Sequence, residues 1–77
     1  MSIEVTSVRR VYPFKRGFQV LAVNANNRII RCVVEDILYD FNEEDGTQQD
    51  RVALRYRGRC GTWYMMCIPA HRVGIES

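Results

Sequence analysis

Four arginines, Arg51, Arg55, Arg57 and Arg59, fall within nine residues and run into the aromatic pair Trp63-Tyr64. Guanidinium groups grip phosphate or carboxylate through planar paired donors, and aromatic rings offer stacking planes for bases. Arginine interleaved with aromatics is therefore the chemistry of a nucleic-acid surface. Alternate arginines also solvate the outer face of a strand and discourage edge pairing, so the same pattern fits a plain hairpin. An acidic protein surface is the third partner it would suit.

Other residue sets carry weaker chemistry. Cys32, Cys60, Cys67 and His71 are four zinc-type ligands, but no pair has the C-x2-C knuckle spacing, so no metal site is expected. Cys60 beside Arg59 could act as a lowered-pKa thiol with His71 as its base. No third group to orient that base is apparent, and no catalytic residue or cofactor is expected. Glu35, Asp36 and Asp40 lack the spacing and the glycine of a calcium loop and read as a solvated surface.

The formal charge of +2 conceals a segregation. Residues 40–50 hold five acids and no base, whereas residues 51–72 hold five bases and no acid. Ten of the eleven bases are arginine. The apolar fraction of 47% suits one folded domain spanning residues 1–77, near the size at which a single core just suffices. No apolar run is long enough to span a membrane. The beginning, MSIEVTSVRR, lacks the apolar stretch of a secretory signal, and three cysteines are a poor disulfide framework. Both features point to a cytoplasmic chain.

The elements that must position these residues are short strands. Residues 3–12 are rich in β-branched side chains and read as a strand ending at Pro13. Residues 15–17 make a turn, residues 18–23 a second strand, and residues 24–27 an asparagine-rich turn. The segment RIIRCVVEDILYDF is ambiguous. Ile30, Val33, Val34, Ile37, Leu38 and Phe41 recur at helical spacing, which gives an α+β alternative of ββαββ order with a helix at about 28–42. The density of Ile and Val favours a strand instead, with a bulge at Glu35-Asp36 resetting the register. Residues 41–50 read as a solvated loop, residues 51–57 and 62–68 as a hairpin, and residues 69–72 as a single turn before an edge strand at 73–75. The fold class expected is mainly β: a small, bent five- or six-stranded barrel.

Pairing within the hairpin decides which residues meet a ligand. An even loop sets Tyr56, Leu54 and Val52 against Trp63, Met65 and Cys67 on an inner face. It then sets Arg57, Arg55, Ala53 and Arg51 against Thr62, Tyr64, Met66 and Ile68 outside. The candidate binding residues are accordingly Arg55, Arg57, Arg59 and Tyr64, with Arg72 nearby. Met66 and Ile68 form an outer apolar end suited to self-association. An odd loop with a bulge would turn Trp63 outward beside the arginines instead.

Four stretches occur in an order that resembles a known family. They are Val34-Glu35-Asp36-Ile37-Leu38, the alternating Val52, Leu54, Tyr56 and Gly58, then Trp63-Tyr64-Met65, and a closing Ile68-Pro69 with Arg72-Val73. Over residues 18–76 this is similar to the Sm/SH3-like small barrels, including the Rho-binding antiterminator family and WYL domains, although their glycine-rich elements are absent. The resemblance implies a binding module for RNA, single-stranded DNA or protein, without catalysis. Taken together, the expectation is a small regulatory module that contacts nucleic acid or a nucleic-acid-handling protein. The alternative is a self-associating or homodimeric module of a mobile element or phage that binds no nucleic acid.

Overall fold

Dense β-branched residues and three short polar loops build an antiparallel sheet. The computed structural model describes residues 11–75. Its strands are β1 (Gln19–Val23), β2 (Ile29–Asn42), β3 (Gln48–Arg57), β4 (Trp63–Pro69) and β5 (Val73–Gly74), and a 3₁₀ turn at Ala70–Arg72 precedes β5. They lie in the order β4-β3-β2-β1-β5, with β4 and β5 at the two edges. Most of the strand expected at residues 3–12 falls outside the described residues; Val11 and Tyr12 are not in a strand. Among the described residues no helix is long and apolar enough to cross a membrane.

The three hairpins share one device. Asn24, Glu43 and Gly58 each donate a backbone N–H to the carbonyl four residues on, closing loops of three residues. The last loop residue is left-handed in each: Asn27 at φ 60°, Gly46 at 88° and Gly61 at 81°. This is the three-residue hairpin that ends in a bulge, and only Gly or Asn enters that backbone region cheaply. The loop that reads from sequence as residues 41–50 therefore shrinks to its tip, and its flanks join β2 and β3.

From Ile29 onward the ambiguous segment is strand, because β2 takes up two single-residue bulges. Val34 faces Leu54, but Asp36 faces Ala53, so Glu35 is the extra residue. The register slips again between Leu38 and Phe41, where Asp40 is left-handed at φ 52°. Ile30, Cys32 and Val34 keep the two-residue strand period on the inner face, and the first bulge then places the next inward residue, Ile37, three positions on. A bulged strand thus imitates the helical spacing in the sequence.

The inner face carries Val20 and Ala22 from β1, Cys32 and Val34 from β2, and Val52 and Leu54 from β3. Phe14 and Ala70 cover it. One carboxylate is buried there as well: Asp50 is only 5% exposed. Its Oδ2 accepts from the Tyr12 hydroxyl, and its Oδ1 accepts the Asp40 N–H at 3.0 Å. A buried anion is tolerable only with such donors. Here they tie the chain before β1 to the second bulge of β2.

Candidate nucleic-acid interface

The β3–β4 hairpin departs from the even-loop pairing. Gly61, forced left-handed, makes the loop Arg59-Cys60-Gly61 odd, so Arg57 faces Trp63, Arg55 faces Met65 and Ala53 faces Cys67. On the inner face Tyr56 faces Tyr64, Leu54 faces Met66 and Val52 faces Ile68. Trp63 and Cys67, expected inside, are outside. Tyr64, Met66 and Ile68, expected outside, are on the core side. Met66 and Ile68 pack against the core there, which removes the outer apolar end they were expected to make.

Trp63 becomes the centre of the outer face. Its indole is 52% exposed, and the Arg55 and Arg57 Cζ atoms lie 5.1 and 5.6 Å from its ring centroid. Arg57 is held by its Nε, which donates to the Gly61 carbonyl at 3.1 Å. Arg55 is held by a 2.8 Å ion pair with Glu35, the extra residue of the first bulge. Turning Glu35 out of the strand pairing is thus what puts a carboxylate beside this arginine.

The rest of the sequence-predicted set separates. Arg59 is exposed at the hairpin tip, two residues beyond Arg57 at the end of β3. Tyr64 stacks on Tyr56 with centroids 5.6 Å apart, on the opposite face from the arginines. Its ring also lies across Gly58, where an added Cβ would come within 2.5 Å of it. Arg72 is far from this face, beyond the β1 side of the sheet. There its Nη2 donates to the Asn24 carbonyl at 3.3 Å and to Asn27 Oδ1 at 3.2 Å, bracing the β1–β2 loop.

The charge segregation seen in sequence is partly cancelled in space. Glu43, from the acidic loop, takes a two-pronged bond from Arg51, at 2.5 Å from Nε and 3.0 Å from Nη2. Those hydrogen bonds from Arg51, and then one from Gln49, hold the Glu43 carboxyl below its ordinary pKa. Arg51 is therefore committed to the fold. Among the described residues, no ion pair engages Arg57 or Arg59.

The thiols and His71 are dispersed. Cys32 lies in the core, where burial raises its pKa to about 11. Cys60 is at the hairpin tip and Cys67 on the outer face of β4. His71 follows β4, so Cys60 and His71 are separated by the length of a seven-residue strand, roughly 20 Å. No group of three metal-ligating side chains forms among the described residues.

Trp63 is the functional candidate that the even-loop reading hid. The signal for it is Gly61 itself, because a glycine as the last of three loop residues implies an odd loop. No family model matches the sequence, and no curated protein or solved structure is significantly similar to it.

Proposed function

We propose that this chain is a non-catalytic binding module that takes single-stranded nucleic acid, RNA or DNA, on the outer face of the β3–β4 hairpin. The observation that carries the reading is the half-exposed Trp63 flanked by Arg55 and Arg57. Base stacking on such a ring contributes roughly 1–3 kcal/mol, and arginines without carboxylate partners are open to phosphates. Arg57 and Arg59 supply that charge, with Arg55 in reserve behind Glu35. Tyr64 and Arg72 drop out of the contact set.

The same reading takes this open sheet, with β4 and β5 left as edges, as an unclosed relative of the SH3/Sm-like small barrels. Support comes from the bulged, bent β2, the 3₁₀ turn before β5, and the pairing of β5 with β1.

The test is fluorescence anisotropy with short labelled oligouridylate and oligodeoxythymidylate, titrated across a salt series. Saturable binding that weakens with salt and with Arg57→Gln supports the reading. Absence of binding at low salt would overturn it. Capture of an oligoglutamate peptide in place of the oligonucleotides would move the face to an acidic protein partner.

A further inference from the structure

The outer edge of β4 has a hydrogen-bonding pattern that is complementary to itself. Gly58 donates its N–H to the Thr62 carbonyl at 2.8 Å, so Gly58 and Thr62 form a hydrogen-bonded pair. Antiparallel ladders alternate, and the β3–β4 register runs without a shift. Tyr56/Tyr64, Leu54/Met66 and Val52/Ile68 are then the hydrogen-bonded pairs. Trp63, Met65, Cys67 and Pro69 lie between them, with their backbone groups turned away from β3. Pro69 fits this parity, since a strand proline belongs where its missing N–H faces outward. The free edge of β4 thus presents the N–H and C=O groups of Trp63, Met65 and Cys67. Arg51 Nη1 already occupies one lone pair of the Cys67 carbonyl at 3.0 Å.

We propose that two copies of the chain pair through β4, antiparallel, about a two-fold axis at Met65. Met65 then bonds its symmetry mate, while Trp63 bonds the partner's Cys67 and Cys67 the partner's Trp63. Every outward donor of the three residues finds an acceptor, six bonds in all at roughly one per donor. The side chains agree with the backbone. β4 reads WYMMCIP and carries no charge. Met65 is 66% exposed. The lysines and bulges that usually blunt a free edge are missing from it. In this arrangement Met65 covers the partner's Met65, and Trp63 lies against the partner's Cys67.

Charge does not oppose the pairing. The two Arg55 side chains share the Met65 row but stand three strand spacings apart, roughly 14 Å, beyond the screening length of physiological salt. Each also sits beside its own Glu35. The other edge offers less: β5 has two strand residues, Val73 and Gly74, so a β4-to-β5 contact would close few bonds. The seam lies at Met65, not at the inward-facing Met66 and Ile68. It stands whether or not the hairpin binds nucleic acid. If it does, the two Trp63 platforms sit on one continuous face, roughly 14 Å apart by four residues of offset and one strand spacing.

Sedimentation velocity of the full chain over a wide concentration range tests this, with Met65→Pro and Met65→Lys. The proline removes an N–H that the β3 ladder does not use, so circular dichroism stays native while the dimer is lost. The lysine sets like charges together on the axis and raises the dimer dissociation constant by about fivefold. In a Cys60→Ser/Cys67→Ser background, Met65→Cys cross-links across the axis on mild oxidation. A wild-type chain that stays monomeric at millimolar concentration overturns the proposal. So does a dimer indifferent to Met65→Pro, or growth past the dimer into rings or fibres.

Discussion

Glu35→Gln is the substitution whose sign is least open to another account. In the folded chain Glu35 holds Arg55 at 2.8 Å, and both side chains are partly exposed. An exposed pair of this kind contributes at most about 1 kcal/mol, so the variant folds with nearly unchanged stability. Removing the carboxylate releases Arg55 to join Arg57 and Arg59 as a phosphate contact. For single strands each contact adds about −0.7 to the slope of log K against log salt, so two contacts give about −1.4 and three about −2.1. At salt near 0.1 M the added contact strengthens binding by about fivefold. Anisotropy titrations with the oligouridylate at four or five salt concentrations read both quantities. Unchanged affinity and slope would mean that Arg55 is not at the interface. Weaker binding would mean that Glu35 positions Arg55 for contact, the reverse of the restraint argued above.

Other substitutions probe the frame that holds this face. Asp50→Ala removes the carboxylate that accepts from the Tyr12 hydroxyl and the Asp40 N–H and destabilises by about 2–4 kcal/mol in urea unfolding; a loss below about 0.5 kcal/mol would contradict the buried clasp. Glu43 has a lowered folded pKa, so its contribution is present above the ordinary carboxylate pKa and is lost as pH falls through the folded value. Melting temperatures of the wild type and Glu43→Gln should differ at neutral pH and converge as pH falls through the lowered folded value, and a gap that persists below it would assign the effect to packing. Burial pushes the Cys32 thiol to about 11 by disfavouring its thiolate, so this site stabilises the fold less as pH rises beyond the unfolded value of 9.0. At mildly alkaline pH a thiol reagent should label Cys60 and Cys67 in the native chain and reach Cys32 only on unfolding. Equal rates at all three would refute that placement.

Residue types indicated the sheet well where the strand period was undisturbed. Val20 and Ala22, and Val52 and Leu54, alternate and are buried in pairs. The period failed where β2 is bulged, because an extra residue at Glu35 converts a two-residue repeat into a three-residue step that a helix would also produce. The bulge at Glu35-Asp36 was nevertheless visible, since it alone lets Ile37 rejoin the inner face. Hairpin register depended on one dihedral angle, that of Gly61. Composition around residues 51–66 suits either register, and only the left-handed demand at the third loop position separates them. The acidic run misled for a different reason. Its role depends on long-range neighbours: Glu43 reaches Arg51 across the hairpin, and Asp50 reaches Tyr12 across 38 positions. No local pattern announces either partner.

Trp63 is the sole tryptophan of the chain, so its intrinsic fluorescence reports on the proposed contact without any label. Titrating the protein with unlabelled oligouridylate at low salt should quench that emission saturably, and added salt should restore it. Arg57→Gln should weaken the quenching. Emission that stays constant while the oligonucleotide is raised to millimolar concentration at low salt would contradict the assignment of this face to nucleic acid.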